Sequence, residues 1–364
     1  MIEAPPIQAP PPVVPEPAVF HRVEFTGTGA EYFRIWIVNF ALTIVTLGIY
    51  SAWAKVRRLQ FFYRHSRVAG AGFDYHANPI TLLKGRMVAL ALFGLYSSMG
   101  YVGTALTIVI LVVLAALLPW LLGRSLRFRL HNSSYRGLRF RFHGTTKQAY
   151  WIFLGMPLLA LLTLFTLAPM WHHRLKRYQF ENSAYGRTRF RFGAPVGSFY
   201  GAHLLSMAVA GGMLMVFFVI LGIVVALTAV GQNQPAGAEA EPNMAVFLPL
   251  FVAGYIVAVV AGQAITGARI QNAIWNHATL GRSTFQSDVR TRRLFWILMT
   301  NLLGTIATLG MFRPFAQVRL ARYYASCMTV AQLGTFASFS GAEGDEVAAT
   351  GEETADIFDF DIGF

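Results

Sequence analysis

The chain has 364 residues, of which 55% are hydrophobic and only 13% charged, and it carries thirty Lys and Arg against seventeen Asp and Glu. With a mean hydropathy of +0.49, this balance excludes an ordinary soluble domain; the apolar residues fall in blocks of about 20, the length an α-helix needs to cross the hydrocarbon layer. The single cysteine, Cys327, excludes a framework of intramolecular disulfides.

Residues 1–20 hold seven prolines and no basic stretch. They read as a disordered arm and not as a cleavable signal peptide, which leaves the first apolar block to act as its own insertion signal. The membrane domain then runs from 21 to 330, with candidate spans at about 33–53, 83–98, 103–122, 150–170, 201–230, 245–266 and 294–312. The third, GTALTIVILVVLAALLPWLLG, and the sixth, MAVFLPLFVAGYIVAVVAG, are the clearest. Closed barrels in lipid show alternating strands of about ten residues, and these blocks do not, so helices are the expected form. The predicted fold class is an all-α polytopic membrane protein of about seven hydrophobic helices, built from internal repeats, with short basic β-hairpins between helices. A tail at 331–364, acidic from Gly341 onward, completes the chain and reads as mostly disordered.

Self-similarity is the most informative signal. PWLLGRSLRFRLHNSSYRGLRFRF at 119–142 aligns without a gap on PMWHHRLKRYQFENSAYGRTRFRF at 169–192. The frame extends to 264–285 and, more weakly, to 52–75. NFALTIVTLGIYSAWAKVR at 39–57 also matches NLLGTIATLGMFRPFAQVR at 301–319. Together these frames put arginine at one shared position five times, at Arg57, Arg124, Arg174, Arg269 and Arg319. Three residues later, on the same helical face, come Gln60, Arg127, Arg177, Asn272 and Arg322.

Beyond each basic helix the period changes. LRFRFHG and TRFRFG alternate apolar residues with Arg, which predicts a strand with one apolar and one cationic face; Gly137 or Gly186 supplies the turn of a short hairpin. The positive-inside rule places all these basic segments on the cytoplasmic side, yet seven simple crossings put some of them outside. The blocks at 83–122 and 201–266 behave as membrane-crossing hairpins. Those at 33–53, 150–170 and 294–312 do not, and are expected to be re-entrant, bent or partly in the plane.

At VNFALTIVTLGIYSAWAKVRRLQFFYR, NSSYRGLRFRFHG, NSAYGRTRFRFG, TLGMFRPFAQVRLARYY and the terminal ADIFDFDIGF, the chain resembles the bacterial inner-membrane protein family of unknown function typified by YjgN. The resemblance covers about residues 20–364. It implies a multi-pass inner-membrane location and carries over no catalytic or binding residue.

No Asp or Glu lies inside a candidate span, and no HExxH, nucleophile elbow, phosphate loop or CxxC pattern occurs. The expectation is a non-enzymatic protein without cofactor or metal. All thirty basic residues lie between 21 and 330 beside only seven acids, so the partner expected is anionic membrane lipid and not nucleic acid. The lipid or anion contacts expected are the five repeated arginines with Arg127, Arg177 and Arg322. Asn39 and Asn301, with Thr43 and Thr305 one turn on, and His203 are the intramembrane polar candidates. They read as interhelical packing or, alternatively, as the lining of a transporter or channel for a small solute or lipid. A homo-oligomer stays open, as does docking of the acidic tail on the chain's own basic hairpins or on a partner protein.

Overall fold

The computed structural model describes residues 18–231 and 244–332. Most of the proline-rich arm, most of the acidic tail and the GQNQPAGAEAEPN loop lie outside the described residues, although Val19 and Phe20 form part of the first strand and Ala331 and Gln332 part of the last.

Four two-residue turns organise the chain. Ala69-Gly70 and Arg136-Gly137 have positive φ at both positions, and Gly186 and Gly281 have it at the first position of their turns. Such turns match the right-handed twist of antiparallel strands and so nucleate hairpins. They join β3 (Ser66–Val68) to β4 (Ala71–Tyr75), β5 (Ser133–Tyr135) to β6 (Leu138–Phe142), β7 (Ser183–Tyr185) to β8 (Thr188–Phe192), and β9 (Ala278–Leu280) to β10 (Ser283–Ser287). The fifth pair is made by the two ends of the described chain: β11 (Met328–Gln332) pairs antiparallel with β1 (Val19–Arg22), and Phe20 stands opposite Ala331.

These strands form one antiparallel sheet in the order β1-β11-β10-β9-β8-β7-β6-β5-β4-β3-β2, where β2 is Glu24–Phe25. Only Val23 separates β1 from β2, and its N–H donates to Met328 O at 3.0 Å. Residues 19–25 therefore border both ends of the sheet and bend it into a near-barrel. The expected all-α fold of about seven hydrophobic helices is overturned by this eleven-stranded sheet and by the presence of only four helices, among the described residues, long and apolar enough to cross a membrane. The hairpins were legible in the alternating Phe and Arg; their joining was not, because strands of two to five residues carry no mark of a partner far along the chain.

A helix carrying one of the repeated arginines precedes each hairpin, and the remaining helices lead away from the sheet. The entering helices are α2 (Ser51–His65), α4 (Thr104–His131), α7 (Ala168–Glu181), α9 (Met244–Trp275) and α11 (Arg313–Ser326). The leaving ones are α1 (Gly29–Val45), α3 (Pro79–Ser97), α5 (Thr146–Tyr150) continuing through a π turn into α6 (Met156–Leu162), α8 (Val196–Gly231) and α10 (Thr291–Ala307). Successive helices pack side by side around a circuit that α11 closes by returning to α1.

The blocks at 83–122 and 201–266 become the long helices α3, α4, α8 and α9. Those at 33–53, 150–170 and 294–312 each split into two shorter arms. In the first and third, Leu47-Gly48 and Leu309-Gly310 take positive φ, and Thr46 and Thr308 accept the N–H of Tyr50 and Phe312 through their hydroxyls at 2.9 and 2.8 Å. The Thr-Leu-Gly motif is thus a helix stop that reverses the chain, and it leaves Leu47 and Leu309 almost fully exposed. In the second, Leu164 and Phe165 do the same with positive φ at both.

The apolar face of the sheet packs on the C-terminal turns of the entering helices. Phe140, Phe142, Phe190 and Phe192 share one core with Leu126, Leu130, Tyr178, Phe180 and Trp275. Trp275 meets Phe180 and Phe285 edge-on at 5.3 and 5.1 Å. Neighbouring hairpins are pinned by hydroxyls: Tyr185 donates to Tyr135 O at 2.9 Å and Tyr135 to Val68 O at 2.8 Å. We expect Trp275→Ala to lower unfolding stability in detergent by about 3–5 kcal/mol through the cavity it leaves, and Tyr185→Phe by about 1 kcal/mol; equal losses would contradict the central packing of Trp275.

Candidate functional site: the cationic face of the sheet

Because successive strand residues point to opposite faces, burying Phe140, Phe142, Phe190 and Phe192 turns Arg139, Arg141, Arg189 and Arg191 outward. Strand pairing sets them in rows. Arg141 is opposite Ala184, and Ala184 is opposite Arg189, so two arginines flank a small, fully buried residue with about 10 Å between their backbones. Arg191 is opposite Thr279 in the next hairpin, and Arg139 opposite Ser134. Arg127 reaches the same region from α4 and donates to Gly144 O at 3.2 Å.

His143 registers the resulting field. Partial burial lowers its pKa below the ordinary 6.5, and the charges of Arg189, Arg141 and Arg127 lower it further. The acids near this face have arginine neighbours of their own: Asp74 pairs with Arg64 at 2.8 Å and Glu181 with Arg177 at 2.9 Å, and Glu24 stands opposite Arg67 in the sheet. What remains is an arginine surface suited to anionic oxygens, which guanidinium groups bind in bidentate geometry.

The arginines singled out by the frame lie one level further along, on the helices. Arg57, Arg174, Arg269 and Arg319 are exposed and Arg124 half-buried. Arg57 lies over the Tyr50 ring at 5.7 Å and Arg124 over Trp120 at 4.9 Å. Arg319 donates to Thr300 Oγ1 at 2.7 Å and Asn301 Oδ1 at 3.4 Å. Arg269 lines an open cleft of about 400 Å³ with Gly197, Ser198 and Gly201. They sit on five separate helices. Three residues on, Gln60, Arg127, Asn272 and Arg322 donate to the backbone carbonyls of Tyr75, Gly144, Val289 and Gly27. Their shared task is to tie each exit loop to the helix entering the sheet. Arg177 instead pairs with Glu181.

The polar candidates are bonded locally except for the Asn39 side chain, whose Oδ1 is buried without a hydrogen-bond partner. Thr43 and Thr305 donate back to Asn39 O and Asn301 O at 2.6 and 2.7 Å, and Asn301 donates to Ala316 O at 3.2 Å. His203 contacts Phe199 O through Nδ1 at 2.9 Å. Asn39 and Asn301 are both buried, on α1 and α10 respectively, and each brackets a chain reversal. Reasoning from sequence had found the cationic strand face but had not counted Arg139, Arg141, Arg189 and Arg191 among the site residues; the RFRF alternation carried that signal.

A near-barrel sheet with an aromatic face against the helix ends and a cationic face turned away from them, joined to helices able to cross a bilayer, defines a membrane protein with a strongly basic sheet. The chain belongs to the family described as "Bacterial protein of unknown function (DUF898)", which matches residues 20–357. It is similar to two proteins named "Inner membrane protein YjgN". The one from Salmonella typhimurium is 30% identical over 142 residues, covering 38% of this chain and 35% of that protein. The one from Escherichia coli K12 is 32% identical over 149 residues, with the same coverage. These matches span about a third of the relatives' length. No solved structure matches. With four apolar helices of spanning length among the described residues and these relatives, the chain is a bacterial inner-membrane protein.

We expect NMR titration of His143 to give a midpoint below 6.5, moving upward in Arg189→Gln as a positive charge is removed. The unfolded chain takes this proton before the folded one, so the contribution of His143 to stability is present above pH 6.5 and is lost as pH falls through its folded midpoint. An unmoved midpoint in Arg189→Gln would contradict the clustering.

Proposed function

We propose that the protein is a non-enzymatic, multi-pass membrane protein whose basic face lies on the cytoplasmic side and engages anionic lipid. The observation that carries this reading is the segregation of Phe and Arg to opposite faces of a sheet at the foot of apolar helices. Each Lys or Arg held near an anionic leaflet contributes roughly 1 kcal/mol, so a surface with this many guanidinium groups has a large capacity for such lipid.

The same reading resolves the topology. Two helical hairpins, α3–α4 and α8–α9, cross the membrane and return. The other three have arms of 17 residues or fewer, about 25 Å in length, short of the ~30 Å hydrocarbon layer. They enter with their exposed Leu47, Leu164 and Leu309 tips and turn back on the same side. Every basic segment then faces the cytoplasm, as the positive-inside rule requires. A transporter draws less support, because the hydroxyls of Thr43 and Thr305 bond within their own helices and Asn301 is tied to Ala316 O.

Two measurements test the proposal. In a Cys327→Ser background, cysteines at positions 187 and 282 are expected to react with an impermeant reagent only from the cytoplasmic side; labelling of either from outside contradicts the topology. Arg139→Gln/Arg189→Gln/Arg191→Gln, and separately Arg124→Gln/Arg174→Gln/Arg269→Gln, are expected to reduce severalfold the anionic lipid that copurifies in detergent. Unchanged retention in both would contradict lipid engagement.

A further inference from the structure

The five entering helices have an outward face and an enclosed one. The outward face holds the five frame arginines and the residues three later. At 100° per residue, the opposite face holds the residues two before and one, two and five after each arginine. Beside core residues such as Leu126 and Leu175, that face carries Lys55, Arg58, Ser125, Arg129, Lys176, Gln179 and Gln317 on α2, α4, α7 and α11, and no acid occupies any such position on the five helices. Lys55 is 6% exposed, and Ser125 and Gln179 are 0% exposed; Arg129 and Lys176 are half-buried. The helices pack around a closed circuit, and on each entering helix this is the face turned away from the exposed arginines.

Several polar atoms on this face lack any hydrogen-bond partner: Ser125 Oγ, Oε1 and Nε2 of Gln179, and Gln317 Oε1. Buried polar atoms are almost always satisfied, and orphans gathered on one face beside cations mark the place of a ligand. The cationic groups, Gln179 Nε2 and the Ser125 hydroxyl suit carboxylates, while the amide oxygens of Gln179 and Gln317 suit backbone N–H groups of the same bound segment.

We propose that these enclosed faces form a carboxylate-binding site and that its ligand is the chain's own acidic segment, residues 341–364. Eight acids fall within that segment and only seven in the whole of 21–330. The segment follows β11 closely: Gln332 ends the strand and residues 333–340 intervene. Eight residues reach up to roughly 27 Å, more than the ~17 Å height of a five-residue strand. The family match extends to residue 357 and so includes most of the segment. This site is distinct from the lipid contact, which uses the outward arginines.

Oxidative cross-linking of the full-length chain in native membranes tests it. In a Cys327→Ser background, Ser125→Cys is combined in turn with Glu346→Cys, Glu353→Cys and Asp359→Cys; Arg174→Cys on the outward face serves as the control. At least one tail position is expected to cross-link to Ser125→Cys and none to Arg174→Cys, and Lys55→Gln/Lys176→Gln is expected to cut the cross-linked fraction at least tenfold. Cross-linking confined to Arg174→Cys, none at Ser125→Cys, or no effect of removing the two lysines overturns the proposal. Ser125→Cys changes one atom, and a gel-filtration profile matching the parent confirms that each variant is folded.

Discussion

The fold depends on the pairing of its first strand with its last. Strands of two to five residues are marginal as isolated hairpins, and each free edge exposes unpaired backbone groups. By bridging β11 and β3 with residues 19–25, the chain gives each strand from β3 to β11 a neighbour on both sides, while β1 and β2 each pair with one. Once the sheet curves in this way it has an inside and an outside, and the alternation of Phe with Arg fixes which side is which: arginine in an aromatic core is prohibitively costly without partners.

Closure also organises the helices. Each hairpin hangs between the end of one helix and the start of the next, so a ring of hairpins sets the helix ends in a ring. Backbone bonds stitch the junctions in register, from His76 to Asn132, His143 to Asn182, Gly193 to His277 and Asp288 to Cys327, with Thr26 to His65 at the chain's beginning. Helix length then becomes free to vary without disturbing the sheet. Two of the helical hairpins are long and apolar enough to span a bilayer, and three are cut short by a left-handed turn at Thr-Leu-Gly or Leu-Phe.

The sequence was legible where chemistry is local. RFRF announced two strands with unlike faces, and the matched Thr-Leu-Gly segments announced a shared structure whose awkward topology pointed to chain reversal. Its blind spots were relational. Nothing in MTVAQ or VFHR says that they pair across the whole chain. Apolar blocks such as NFALTIVTLGIYSAW look like single spans because Leu47 and Gly48 differ from helix only in the sign of φ. The frame that located Arg57 and its equivalents also located, half a helical turn away, Lys55 and Gln179, but burial was needed to show that the two sets face opposite ways. The RFRF arginines lie outside the helical frame, so only the strand alternation points to them.

The ring itself is open to a direct test. With Cys327→Ser, cysteines at Phe20 and Ala331, which stand opposite one another across β1 and β11, should form a disulfide in native membranes under mild oxidation. The linked chain should run as a faster, circularised species on a non-reducing gel and revert on reduction. Quantitative cross-linking with unchanged thermal stability is the result expected of a closed sheet. Failure of these two positions to cross-link, while cysteines at the paired positions Ser134 and Arg139 within one hairpin do so, would contradict closure.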